Sequence, residues 1–486
     1  MGLIESHSIR LKLVLLPLMA LALTARPCGA LVIDGALNAS LDQPRINAAL
    51  TLPGDPNNPL SAMGVDIFGQ PIDTFNIQAF YDTGASGVLL SKETTDALGV
   101  PRDPGVLFED VGVGGSEAFD VSMDVNVHLA PMSPLADIDN AATFTTVYDQ
   151  VFGPIRTQVN QHTAQLFPLD VFGMPVFEDK TVVMDVRPPN TLLGLIETTV
   201  YDSGSVPASV PATQLHVPMD YGDFSRFTQT TGGAPPTLAQ NPFVGPNPAG
   251  PPPAGAAATP PGVRATFDGQ TVEASWLFDT GAAASAVSLD VAAGMGVTYV
   301  PNTYNTGNPQ LQGLGPNDET FVLSIGGVGG TLTVAGFFLQ ELVLPTLEGQ
   351  DIVFRNAPVM VADIILRDPI TNDMLSLDGV LGMNFFVASA MVDLRTGGFP
   401  TDFRSGAFEF LVFDQPSGIL GVTVNPAVPE PSAGAMIVGL FGVIVLRRRR
   451  TTHRANEQRH QGQPVLAQRR HHRPMKESRP FVPIAP

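Results

Sequence analysis

Two aspartates of this chain stand in the same small setting. Phe80-Tyr81-Asp82-Thr83-Gly84-Ala85-Ser86 returns as Leu277-Phe278-Asp279-Thr280-Gly281-Ala282-Ala283. In each copy an apolar strand delivers an Asp, then a hydroxyl residue, then a Gly that lets the chain turn sharply. Such a turn presents its carboxylate at a strand end. Two carboxylates about 3 Å apart cannot both ionise easily, so one proton is shared and the pair gains an acid half and a base half. A water held between them can lose a proton to the ionised partner and attack a carbonyl carbon, while the protonated partner donates to the carbonyl oxygen. This chemistry calls for no metal, no cofactor and no covalent intermediate. The apparent acidities belong to the pair, so neither Asp is the permanent base. Thr83 and Thr280 can fix the loops by hydrogen bonding, and Gly84 and Gly281 permit the turns.

The elements around the two acids keep step. Asp82 to Val100 and Asp279 to Val297 each span 19 residues and close on Gly-Val. Lys92–Gly99 reads as a short helix closed by Gly99, and its counterpart ends at Gly296. A Gly-rich stretch, Gly112-Val113-Gly114-Gly115-Ser116-Glu117-Ala118-Phe119, precedes an alternating strand and predicts a hairpin that closes over a bound chain. Its partner is read at Gly313-Leu314-Gly315 through Phe321. The glycines at 112, 114, 115, 313 and 315, with Phe119, are the candidate flap residues. Neither stretch carries the Lys-Ser/Thr ending or opens a helix as a phosphate-binding loop would. A third block, Val171-Phe172-Gly173-Met174, reappears as Val380-Leu381-Gly382-Met383, and each leads to a strand ending in Asp-apolar-Arg. Three blocks in the same order mark an internal duplication.

Composition bounds the rest. Of 486 residues 44% are apolar and 15% charged, which suits folded cores. The charge is uneven. From Arg447 onward there are 11 Lys and Arg against two acids, while residues 31–446 hold 43 acids against 12 bases, a net charge of about −31. That excludes nucleic acid as the partner of the body. Residues 1–30 read as a secretory signal, with Arg10 and Lys12 ahead of an apolar run and small residues at 28–30. Cleavage after Ala30 removes Cys28, the only cysteine, so packing alone must stabilise the exported product. His128, His162 and His216 lack ligand spacing, and no metal is expected.

Two lobes follow from the duplication, residues 31–200 and 263–425, each rich in Val, Thr and Phe, so an all-β architecture is expected. Residues 201–262 lie between them. Within that segment 231–262 contains 10 Pro and 6 Gly among 32 residues and reads as an exposed linker. Nothing calls for a second copy of the chain, so a monomer is expected. At the far end Val428-Pro429-Glu430-Pro431 leads to an apolar run, Ala433–Leu446, and then to Arg447–Arg450. The run is 14 residues long against about 20 for a full span, so residues 426–450 can cross a membrane only marginally. A basic tail, 451–486, follows.

Asp82-Thr83-Gly84-Ala85-Ser86 and Asp279-Thr280-Gly281-Ala282-Ala283, each paired with an apolar-apolar-Gly block, resemble the aspartic proteases over roughly residues 65–425. The single-chain two-lobed order is similar to pepsins, and the Ala after Asp-Thr-Gly to retropepsins. The resemblance implies two pseudo-symmetric β-barrel lobes around a cleft, with Asp82 and Asp279 as catalytic pair. It makes Thr83 and Thr280 loop supports and Gly173 and Gly382 the packing glycines beneath the loops. An extended polypeptide is the implied substrate. Pepsins usually have Ser or Thr where Ala85 and Ala282 stand, and no Tyr occurs in either proposed flap. Those departures keep a second expectation open, a catalytically silent pepsin-like surface binding or matrix protein. The Pro-Glu-Pro segment resembles the bacterial PEP-CTERM sorting signal. It implies export to the cell envelope, a sorting enzyme of exosortase type as partner, and a membrane contact through the C-terminal segment. That family's signals usually stop soon after the Arg run, which residues 451–486 do not.

Overall fold

Alternation of apolar and polar residues writes most of this chain as strands. Along Ile77–Tyr81 the residues Ile77, Ala79 and Tyr81 are buried while Gln78 and Phe80 face outward, as a period of two requires. The computed structural model describes residues 30–34, 38–40, 43–65, 71–133, 138–162, 169–187, 196–248, 260–387, 391–393 and 407–425. The expected signal at 1–30, apart from its last residue, the sorting segment and the basic tail lie outside them. Residues up to Pro431 form one unit, and the second, Ser432–Pro486, is not among the described residues.

The described chain is predominantly β, as expected. A ten-stranded sheet holds the first Asp. At its centre Arg45–Thr51, Ile77–Tyr81, Val171–Phe172 and Val88–Leu90 are neighbours in that order. An eleven-stranded sheet holds the second, with Trp276–Phe278, Gly379–Leu381 and Ala286–Val287 adjacent. Neither sheet's strand order closes on itself among the described residues, so closed barrels are not what these strands make. A five-stranded sheet joins the halves: Lys180–Asp185 pairs with Phe408–Asp414 across more than two hundred residues. Leu31–Asp34 lies parallel to Ile352–Arg355, which ties the start of the described chain to the second half.

The expected helix forms at Lys92–Leu98. Ser91 caps it by accepting from the Thr94 N–H, and Gly99 ends it in the left-handed conformation at φ 66°. Its counterpart, Leu289–Gly294, is capped by Ser288 and stops just short of Gly296. Beneath both halves runs one apolar core that includes Tyr81, Phe177, Trp276, Phe278 and Phe386.

Candidate active site

Each Asp leaves its strand at a point clamped from two sides. Phe80 and Tyr81 run parallel to Val171 and Phe172, and the Asp82 N–H donates to the Phe172 carbonyl at 3.0 Å. Leu277 and Phe278 run parallel to Val380 and Leu381 in the same way, and the Asp279 N–H donates to the Leu381 carbonyl at 3.1 Å. The glycine after each middle strand sits where a side chain cannot. A methyl on Gly173 would strike the carbonyl oxygens of Ala85 and Gly87, and one on Gly382 would lie 2.8 Å from the Ala284 carbonyl oxygen and 2.9 Å from that of Ala282. Gly173 and Gly382 therefore lie against the loops that carry Asp82 and Asp279.

The two loops then hold each other. Thr83 Oγ1 donates to the Phe278 carbonyl at 2.6 Å, and Thr280 Oγ1 donates to the Tyr81 carbonyl at 2.7 Å. Each hydroxyl also accepts the other threonine's N–H at 3.0 Å, and both threonines are fully buried. Four bonds in a closed set leave no polar atom of either Thr side chain unused.

This lock brings the acids together. The space beside Gly84 is filled by the Asp279 carboxyl and the space beside Gly281 by the Asp82 carboxyl, so a methyl on either glycine would collide with the opposite acid. A side-chain hydrogen bond joins the two carboxyls. Asp82 Oδ1 also accepts the N–H groups of Gly84 at 2.8 Å and Ala85 at 3.1 Å. Asp279 Oδ1 has no hydrogen-bond partner among the described residues. As residues both acids are half-buried, and Asp279 Oδ1 is shut off from solvent.

Burial raises the pKa of both carboxyls. For Asp279 the charge of Asp82 adds to burial and pushes it well above the usual carboxylate range. For Asp82 burial dominates, and the bond to Asp279 with the backbone donors at Gly84, Ala85 and Gly281 pulls partly the other way. The pair therefore keeps a proton at a pH where free carboxyls have lost theirs. The folded state holds more protons than the unfolded one in that window. Its stability from this pair is complete below the ordinary carboxylate range and is lost as pH rises through the raised values. Asp279→Asn removes that loss. Its melting temperature should exceed the wild type's near pH 7 and match it near pH 4, as thermal melts across about pH 4 to 8 would read. An unchanged pH slope in the variant would contradict the shift.

Two hairpins meet nearby. The first pairs Arg102–Gly112 with Gly115–Ser122, as expected from Gly112, Gly114 and Gly115. The second is not at Gly313–Phe321. Gly315 donates its N–H to Asp318 Oδ2 at 2.6 Å in a local turn, and Gly313, at φ 88°, sits against the Gly296 carbonyl. The second hairpin pairs Thr320–Gly327 with Gly330–Leu344. Its tip, Gly327-Val328-Gly329-Gly330, repeats Gly112-Val113-Gly114-Gly115 letter for letter, the signal by which the sequence could have placed it. The tips touch: the Gly114 N–H donates to the Val328 carbonyl at 2.9 Å, and the Gly329 N–H to Glu117 Oε2 at 3.2 Å. Val328 packs on Val106, Phe108, Phe119 and Val121 of the first hairpin. Phe119 is thus part of that hairpin's buried underside rather than a free flap side chain.

Residues 229–247 are built into the fold, although composition reads most of them as an exposed linker. Gln229–Thr231 pairs with Leu107–Glu109 of the first hairpin, and Asn241–Val244 is a buried strand beside Trp276 and Leu277. Asn241 Nδ2 donates to the Thr83 carbonyl at 2.8 Å, and its Oδ1 accepts from the Ser86 hydroxyl. Gln43 Nε2 donates to the Gly281 carbonyl. Each acid loop is therefore held by an amide from a distant segment, which no local pattern marks.

No family model and no curated protein matches this sequence. Among the described residues no helix is long and apolar enough to cross a membrane, and Ala433–Leu446 lies outside them.

Proposed function

We propose that this protein is an aspartic endopeptidase with two related lobes, similar to pepsins and retropepsins. The observation that carries the reading is the mutual approach of the acids: each carboxyl fills the space beside the other loop's glycine, and the two share a hydrogen bond. The two carboxyls share one proton, and Asp279 Oδ1 has no partner among the described residues. A water bound to the pair gives up a proton to the ionised member and attacks a peptide carbonyl, whose oxygen takes the proton of the other. The Thr83–Thr280 lock keeps the carboxyls from drifting apart as their charge changes. The touching hairpin tips must part for an extended chain to enter and can close over it.

The protein acts, on this reading, on polypeptide outside the cytoplasm, exported by residues 1–30 and sorted to a bacterial envelope through residues 426–450 by an exosortase-type enzyme. A silent binding or matrix protein is the second reading, and the absence of hydroxyls at Ala85 and Ala282 favours it. Purified protein should digest an unfolded protein faster at mildly acidic pH than at neutral pH. A statine-type transition-state inhibitor should stop it, as inhibition titration would show. Neither binding nor cleavage would leave only the silent reading.

A further inference from the structure

The described part of the chain carries ten Lys and Arg residues in a strongly acidic body. Seven form ion pairs with carboxylates, and Arg367 bonds to Asn372. Arg226 lies over Phe227 and within the field of Asp368. Arg45 has no carboxylate partner among the described residues. Its guanidinium lies 4.5 Å from the centre of the Phe80 ring, its cross-strand neighbour, and it is half-buried. Both line a cavity of about 780 Å³ together with Gln78, Leu169 and Asp170. A half-buried cation without a counter-charge is costly, and a cavity beside it is where an anion would repay that cost. Asp170, in the same wall, does not fill the role. Its oxygens are taken by the Ser91 N–H at 2.7 Å and the Thr94 hydroxyl at 2.6 Å, and burial raises its pKa.

Two strands of the cavity wall run on to the acid pair. Phe80 precedes Asp82 by two residues, about 7 Å along an extended segment. Gln43, two residues before Arg45, reaches the Gly281 carbonyl. A peptide bound in extended form over Asp82 repeats its side chains on one face at the same interval of about 7 Å. We propose that this cavity is a subsite for an acidic side chain of the substrate, about two residues from the bond that is cut. Arg45 takes the carboxylate, and Phe80 and Leu169 cover the methylenes of a Glu. The subsite rests on the peptidase reading, and its test must separate the two.

Peptides differing only by Glu, Gln or Lys at that position serve as probes. Cleavage should favour Glu over Gln by about tenfold in kcat/KM, with Lys poorest. Arg45→Met should erase the difference, Arg45→Lys should keep most of it, and Arg45→Glu should turn the preference toward Lys. Fluorescence anisotropy with the Asp279→Asn protein reads the same preference as affinity without turnover. Equal rates and equal affinities for Glu and Gln overturn the subsite. An affinity difference that depends on Arg45, with no cleavage by the wild type, upholds the subsite and overturns the peptidase reading instead.

Discussion

Asp82→Asn and Asp279→Asn should each lower peptide hydrolysis by about a thousandfold or more, measured as kcat on one unfolded substrate. An amide is close in shape to a carboxyl but neither stores nor accepts a proton in this range. Asn at either position removes one holder of the shared proton, and Asn at 279 also removes the carboxyl whose raised pKa lets the pair work as acid and base together. The two losses should not add, because either change breaks one unit. Melting temperature distinguishes lost chemistry from lost fold, since Asp279→Asn is expected to be the more stable protein near neutral pH. Cleavage that survives in either variant would end the account of a paired site.

Gly281→Ala and Gly173→Ala should fail in opposite ways. At Gly281 the added methyl meets the Asp82 carboxyl, which is the end of a side chain and can swing aside. The fold should survive while activity falls by about a hundredfold or more, because a displacement near 1 Å disarms a proton-transfer pair. At Gly173 the methyl meets the carbonyl oxygens of Ala85 and Gly87, which belong to the loop's backbone and are fixed by the Gly173 and Met174 N–H groups that bond to them. Overpacking against fixed backbone costs about 1–3 kcal/mol, so Gly173→Ala should lower the denaturation midpoint. The midpoint and kcat, measured on both variants, separate a glycine kept for the chemistry from one kept for the loop. Equal midpoints would contradict the assignment of Gly173.

The departures from expectation share a cause. Gly313 and Gly315 look like a hairpin tip because glycine reports only that the backbone must turn there. Asp318 closes that turn locally, while the longer strands that form a hairpin meet at Val328-Gly329. The Pro-rich segment looks like a linker because proline and glycine make few strand bonds. Yet Asn241–Val244 needs only a short stretch to enter the sheet and hold Thr83. Its composition describes the backbone's freedom, not the surface that covers it.

From its sequence alone this chain declares mostly β structure, two Asp-Thr-Gly turns, the helix closed by Gly99 and the glycines at 173 and 382. These are local demands: a turn, a cap or an alternating strand needs particular residue types within a few positions, so the types record it. Tertiary structure decided that Thr83 and Thr280, 197 residues apart, bond to one another, that each carboxyl lies beside the other loop's glycine, and that the two hairpin tips touch. Such contacts depend on how two sheets are placed in space, and a single sequence has no residue type that stands for a distance.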